Sequence, residues 1–159
     1  VKHLMITTVT GSFNSFTASA ETEAEDFSDA AISFSAETAS VDTGNEQRDG
    51  HLKSADFFES EKYPALTFTA TSYTKKSGDE YTLTGDLTIK DVTKPVTLAV
   101  EFGGVAKDPW GNTKAGFTLS GKINRKDFGL NWNAVTEAGG LLVSEDVKIS
   151  AEIQLVKQA

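Results

Sequence analysis

The sequence predicts an all-β domain whose strands close into an antiparallel, up-and-down β-barrel. Apolar and polar residues alternate with a period of two along most of the chain, clusters of turn-forming residues separate the alternating stretches, and only one segment has helical spacing. A chain of 159 residues is long enough to bury one hydrophobic core without disulfides. We therefore expect residues 1–159 to form a single domain.

Seven stretches alternate as amphipathic strands do, with one apolar and one polar face. In the third of them, Leu66, Phe68 and Ala70 are separated by threonines. The seven predicted strands cover residues 9–19, 29–40, 65–75, 80–90, 94–106, 113–124 and 143–157. Residues 1–8 are a candidate for the remnant of an eighth strand, which gives about eight strands in all.

Turn-forming residues join these strands in chain order. Residues 75–79 contain Ser-Gly-Asp and residues 108–112 are Asp-Pro-Trp-Gly-Asn, and both segments are typical of hairpin loops. Strands joined consecutively by hairpins form a meander. Because a flat meander would leave one whole apolar face in water, the sheet must close on itself or pair with a second sheet, and we expect a barrel.

One short helix is predicted near residues 45–58. Asn45 is a good N-cap residue, and Leu52, Ala55 and Phe58 follow at three-residue spacing on one face. A second turn of helix is predicted at residues 125–128. All other regular structure is expected to be strand.

The charge balance argues against nucleic acid as a partner, because the chain has 23 acidic and 15 basic residues, a formal net charge of -8 and no stripe of Lys or Arg. It has no cysteine and only two histidines, which excludes thiolate chemistry and cysteine-based zinc sites. We expect neither a metal nor a cofactor. No apolar run approaches the roughly 18 residues of a transmembrane segment, so we expect none.

The apolar strand faces supply a candidate ligand-binding interior. About eight strands, each roughly 35 Å long, enclose a space just wide enough for side chains or for one slender ligand. Small residues recur between the large ones on the inward face, at Ala36, Ala70, Gly85, Ala115, Gly121 and Ala151. They either leave a tunnel or make room for the phenylalanines. The candidate ligand-binding residues, in the interior and at its mouth, are Phe34, Ala36, Phe68, Ala70, Leu83, Leu87, Val100, Phe102, Phe117, Leu119, Trp132, Ile149 and Ile153.

Arg48, Asp49 and His51 form the first polar cluster. In an enzyme, His51 would be a general base oriented by Asp49. No nucleophile or cofactor motif accompanies this pair, so we identify no catalytic residue. We favour a structural role, in which Arg48 and Asp49 bind backbone groups or each other and hold the helix over one end of the barrel.

The second polar cluster contains Asn124, Arg125, Asp127, Asn131 and Trp132. We favour a structural role here too, in which Arg125 and Asp127 satisfy loop backbone while Phe128 and Trp132 close one end of the barrel. The alternative places Asn131 and Trp132 at a mouth, where an amphipathic ring meets the boundary between a ligand's tail and its headgroup.

Three segments, in order, resemble the signature of the YceI-like, polyisoprenoid-binding family. They are NEQRDGHLKSADFFESEKYPALTF at 45–68, GDLTIKDVTKPVTL at 85–98 and INRKDFGLNWN at 123–133. The resemblance implies a lipocalin-like barrel that holds one long isoprenoid, such as a quinone tail or a polyprenyl phosphate, or a similar lipid. Arg48, Asp49 and His51 are the positions that match the first motif.

Chains of this family usually carry another strand before the VKHL-like segment. The resemblance therefore implies that the first barrel strand is partly missing from residues 1–159. It also implies a bacterial protein, and it leaves the compartment open between periplasm and cytoplasm.

Three hypotheses of function remain open at this point. The first is a carrier that sequesters an isoprenoid or other lipid without changing it. The second is a filled barrel that acts through a protein partner on its surface, and the third is an enzyme that depends on His51. The sequence leaves the oligomeric state undetermined.

Overall fold

Seven antiparallel strands form one strongly curled sheet, a half-barrel whose concave face carries the hydrophobic core. The structure is a computed structural model, and it describes residues 1–158. In chain order the elements are β1 (Lys2–His3), β2 (Thr7–Thr8), β3 (Ser12–Phe13), β4 (Phe16–Glu21), β5 (Ala31–Glu37), a 3-10 helix (Thr38–Ser40), β6 (Val41–Asp42), α1 (Glu46–Leu52), β7 (Ala65–Ser77), β8 (Glu80–Ile89), β9 (Val92–Lys107), β10 (Thr113–Asn124), a second 3-10 helix (Arg125–Phe128) and β11 (Asp146–Val156).

The main sheet follows the chain as a meander, in the order β4, β5, β7, β8, β9, β10, β11. Every neighbouring pair is antiparallel. The sheet curls until Cα atoms of the edge strands β4 and β11 lie within 8 Å of each other. No ladder joins these two edges in the part of the chain that the structure describes. The predicted fold class, an antiparallel up-and-down β architecture with one α-helix, is confirmed.

Six of the seven predicted strands are confirmed as β5 and β7 to β11, with ends that agree within about three residues. The first prediction, a strand over residues 9–19, is wrong in extent. Asn14 and Ser15 interrupt it with a bend, and Asn14 N–H donates to the carbonyl of Ser40 at 3.2 Å. Short polar side chains favour such interruptions because they compete for backbone hydrogen bonds. As a result β3 pairs with β6 in a separate ribbon, and only β4 joins the main sheet.

Residues 1–8 do not form a strand of the main sheet. They make a hairpin in which β1 pairs with β2, and its turn contains Leu4 and Met5 in the left-handed region, at φ of 54° and 61°. The hairpin is tied to residues 142–144 by backbone hydrogen bonds, including Leu4 N–H to the carbonyl of Leu142 at 2.7 Å.

Helix α1 is shorter than predicted. It begins as expected after Asn45, whose side chain accepts a hydrogen bond from Arg48 N–H at 2.9 Å, but it ends at Leu52 rather than near residue 58. The Ser54 hydroxyl donates to the carbonyl of His51 at 2.6 Å and so diverts the chain into consecutive turns. These turns bring Phe57 into a buried position. The predicted helical turn at residues 125–128 is confirmed as a 3-10 helix.

The core is most tightly packed along β7, β8 and β9, where inward side chains alternate with exposed ones. Most inward side chains of β4, β10 and β11 are half-buried instead, although Ala115 on β10 is buried and Phe16 on β4 is exposed. The fully buried core residues are Ala36, Leu66, Phe68, Tyr81, Leu83, Leu87, Ile89, Val96, Val100, Phe128 and Leu130. The concave face thus has a buried centre along β7, β8 and β9 and a partly accessible apolar flank along β4, β10 and β11.

Candidate functional site

The concave face of the half-barrel is the candidate binding site, and all of the predicted interior residues lie on it or at its ends. None of them is exposed. The fully buried members are Ala36, Phe68, Leu83, Leu87 and Val100. The half-buried members are Phe34, Ala70, Phe102, Phe117, Leu119, Trp132, Ile149 and Ile153.

The small inward residues divide into two groups. At Gly85 an added Cβ would lie 2.5 Å from the ring of Phe68 and 2.5 Å from the carbonyl oxygen of Thr69, and at Gly121 it would overlap the side chain of Leu98. These two glycines therefore make room for neighbouring side chains rather than for a tunnel. By contrast, Ala70 and Ala151 are half-buried and lie on the accessible part of the interior.

A layer of buried aromatic and aliphatic residues closes the end of the half-barrel next to α1, which we call the α1 end. Phe57, Phe128 and Leu130 are all buried there. The ring of Trp132 packs against that of Phe57, with centroids 5.5 Å apart. It also contacts the ring of His51 edge to face, with centroids 4.6 Å apart and an interplanar angle of 88°. Trp132 therefore belongs to the closure of this end.

Arg48 and Asp49 both bind Thr43, the residue that follows β6. Arg48 donates from Nε to the Thr43 hydroxyl at 2.7 Å and from Nη2 to the Thr43 carbonyl at 2.9 Å. Asp49 accepts from the Thr43 hydroxyl at 2.6 Å and from its backbone N–H at 2.9 Å. The hydroxyl bond to Thr43 is the main reason that the pKa of Asp49 lies below its usual value. The two side chains thus clamp α1 to β6 through Thr43.

His51 is oriented by a different carboxylate from the one that the sequence indicated. Its Nε2 lies 2.8 Å from Oδ2 of Asp56, in the turns that follow α1, whereas Asp49 is engaged by Thr43. The pairing of His51 with Asp49 that the enzyme hypothesis requires is therefore not formed. The cause is the early end of α1, which folds residues 53–58 back beside the histidine ring.

Arg125 is the central polar residue of the second cluster, and only 3% of it is exposed. Its guanidinium donates to four backbone carbonyls, those of Leu130 at 2.6 Å, Trp132 at 2.8 Å, Ser144 at 2.9 Å and Val143 at 3.4 Å. Burial lowers its pKa, and the nearby Glu145 opposes that shift. These bonds fix the loop after the second 3-10 helix. Asp127 is exposed and takes no part in them.

The opposite end of the half-barrel, which we call the loop end, is lined by an aromatic group of which the sequence indicated only Phe102 and Phe117 as site residues. Phe27 lies in the left-handed region, at φ of 62°, and packs against Phe102 at 6.0 Å and Phe117 at 5.2 Å. Tyr73 stacks on Tyr81 with ring centroids 4.6 Å apart. Little in the sequence indicates Phe27, because it directly follows the acidic run 21–26 and such a run is typical of a solvated hairpin tip.

The described residues form neither a metal-binding cluster nor a membrane-spanning helix. Among residues 1–158 no cluster of three His, Cys, Asp or Glu side chains is placed to hold a metal ion. No helix in the described range is long and apolar enough to cross a membrane.

Comparisons with known proteins place this architecture in a family. The model of the YceI-like domain matches residues 1–155. UPF0312 proteins of Staphylococcus aureus are 40% identical over 155 residues, which is 97% of this chain and 88% of theirs. The crystal structure of the Campylobacter jejuni YCEI protein has 35% sequence identity and a TM-score of 0.84, and the match covers 100% of this chain and 91% of that one.

A more distant structure agrees in fold. Burkholderia cenocepacia BcnA is 22% identical and has a TM-score of 0.78, with 96% of this chain and 91% of that chain covered. Together with the three motifs and the curled meander, these similarities show that the chain belongs to the YceI-like family and has its lipocalin-like barrel fold.

Proposed function

We propose that this protein is a carrier or store for one long apolar molecule, an isoprenoid such as a quinone tail or polyprenyl chain, or a similar lipid, held along the concave face. The observation that carries the proposal is the half-buried apolar flank. Inward residues Leu119, Ile149 and Ile153 alternate with exposed polar ones on β10 and β11, so an apolar surface lines the interior without being fully covered by the protein's own side chains.

The energetics of such a site favour retention of a long tail. Burial of several hundred square ångströms of apolar surface contributes roughly 25 cal/mol per Å² before the cost of ordering the ligand. A slender chain suits the geometry because Phe68 and Leu98 occupy the space at Gly85 and Gly121, which leaves the flank beside Ala151 as the accessible part of the interior.

Binding without chemical change is the favoured form of this function. The ring of His51 is bound by Asp56 and contacts the rings of Phe57 and Trp132, with centroids at 5.1 Å and 4.6 Å. The hydroxyl of the nearby Ser54 donates to the backbone carbonyl of His51. A histidine whose neighbouring hydroxyl is already bonded to a backbone carbonyl is poorly provided with a nucleophile to activate.

The experiment that tests this proposal is mass spectrometry of an organic extract from the natively purified protein. We expect an intact long-chain isoprenoid or related lipid in a fixed ratio to protein, and uptake of the same lipid by the extracted and refolded protein. Recovery of a chemically altered lipid after incubation would favour the enzyme hypothesis. Absence of both extractable lipid and uptake would contradict the carrier proposal.

One observation favours the second candidate function, action through a surface partner. The β1–β2 turn exposes Leu4, Met5 and Ile6, whose exposed fractions are 42%, 57% and 77%, and Leu141 beside it is 40% exposed. Exposed apolar residues that lie together are typical of protein contact sites. If the extract contains no lipid, this patch becomes the leading site.

A further inference from the structure

Tyr73 lies on the concave face of the sheet near the loop end. It is the cross-strand partner of Leu83, which is one of the most deeply buried residues of the core. Directly opposed residues of an antiparallel pair project to the same face. Its ring stacks almost parallel on Tyr81, at an interplanar angle of 8°.

The hydroxyl of Tyr73 is buried, and no hydrogen-bonding group among the described residues reaches it. A buried donor without a partner is costly, and native proteins rarely keep one without a reason. Burial is also the main cause that raises the pKa of Tyr73 to about 12, followed by the nearby Tyr81 and Asp26. The phenol therefore stays protonated and is a hydrogen-bond donor at physiological pH.

The two ends of the half-barrel differ in what they offer to a ligand's polar end. At the α1 end, the guanidinium of Arg125 donates to backbone carbonyls and that of Arg48 donates to Thr43. At the loop end, the Tyr73 hydroxyl is a donor without a partner among the described residues, and it belongs to a strand of the sheet. The other buried hydroxyl without a partner, that of Ser60, lies in the turns between α1 and β7 and not on a strand. The negative charge of Asp26 close to this phenol disfavours an anionic group there.

We infer that the ligand of this half-barrel lies with an uncharged hydrogen-bond acceptor, a hydroxyl, ether or carbonyl oxygen, at the loop end, where Tyr73 donates to it. The inference rests on the proposed carrier function and adds the orientation and the chemical class of the ligand's polar end. It selects neutral isoprenoids, such as a prenyl alcohol or a quinone, over prenyl phosphates. The apolar tail then runs from Tyr73 towards the closed α1 end.

The test compares the delipidated wild type and Tyr73→Phe in binding of three probes with one tail: farnesol, the hydrocarbon farnesene and farnesyl phosphate. Loss of one neutral hydrogen bond should weaken farnesol binding about 3- to 10-fold and leave farnesene binding unchanged. The wild type should prefer farnesol to farnesyl phosphate. Tyr63→Phe, which removes a hydroxyl from the segment before β7 at the α1 end, is the matched control and should alter none of these affinities.

A melting experiment without ligand provides an independent readout. Because Tyr73→Phe removes an unpaired buried donor, its melting temperature should equal or exceed that of the wild type. A lower melting temperature would overturn the inference, since it would mean that the hydroxyl has a structural partner. Equal effects on farnesol and farnesene, or a wild type that prefers farnesyl phosphate, would also overturn it while the carrier function stands. A wild type that binds none of the three probes would contradict the carrier function itself.

Discussion

Arg125 illustrates how one side chain organises an irregular segment of this protein. The loop between the second 3-10 helix and β11 has few backbone partners in the sheet, and a buried guanidinium supplies donors to carbonyls on both sides of it. A carbonyl that is buried away from water needs such a donor. The residue therefore specifies the path of the chain that positions Trp132.

Replacement of Arg125 by Met should destabilise the protein strongly, because four buried or partly buried carbonyls lose their charged donor. We expect a loss of about 3 kcal/mol in the free energy of unfolding, or roughly 6–12 °C in melting temperature. Lys126→Met is the control, since the pair of Lys126 with Glu145 is exposed and should contribute less than about 1 kcal/mol. Equal melting temperatures for the two variants would contradict this role for Arg125.

Asp49 should give the protein a component of acid sensitivity. The Thr43 hydroxyl bond lowers the pKa of Asp49 in the folded state, so the associated stabilisation is complete above the unfolded value near pH 4 and is lost as the pH falls through the folded value. Melting temperature measured from pH 6 to pH 2 should therefore fall less steeply in Asp49→Asn than in the wild type. Thr43→Val should flatten the profile in the same way. Parallel profiles for all three proteins would refute the linkage.

At the scale of elements, period-two alternation predicted the strands well where one face is buried, as in β8 and β11. The predictions failed where side chains direct the backbone. Asn14 and Ser15 break the first strand, and the Ser54 hydroxyl ends α1 before the position that its apolar spacing indicated. Alternation reports which face of a strand is apolar, and it carries no information on such local hydrogen bonds.

The packing of β8 against β7 depends on Gly85, because Phe68 lies across it. Gly85→Ala places a methyl group 2.5 Å from the Thr69 carbonyl oxygen, which is backbone and cannot move aside cheaply. We expect a loss of about 1–3 kcal/mol in the free energy of unfolding. Gly116→Ala in β10 is the matched control, since nothing lies within 4 Å of its added Cβ, and it should be neutral or slightly stabilising. Denaturant titration of both variants measures the difference, and a tolerated Gly85→Ala would disprove the close contact.

At the scale of the whole molecule, the sequence identified which residues face inward but not which of them remain accessible. Ala36 and Ala151 are both small residues on the inward face of an alternating strand, yet Ala36 has no exposed surface and Ala151 is half-buried. The difference arises because Ala36 is paired on β5 between two neighbouring strands, whereas Ala151 lies on the edge strand β11. Likewise, Phe27 reaches the interior from the β4–β5 loop, where it packs against Phe102 and Phe117, and Tyr73 faces inward because a register shift between Ala70 and Ser72 changes the alternation of β7. Such properties depend on strand order and curl, which alternation does not encode.

The carrier function makes its sharpest prediction at Ala151, which lies opposite Leu119 on the accessible flank of the interior. Ala151→Phe places a ring where the proposed tail runs, so bound lipid per protein should fall severalfold while the melting temperature of the lipid-free protein changes little. Ser150→Phe adds the same bulk to the exposed outer face and should retain lipid. If the interior is instead filled by side chains, Ala151→Phe overpacks it and costs about 1–3 kcal/mol in lipid-free protein. That loss of stability, together with unchanged lipid content, would exclude a tail at this position.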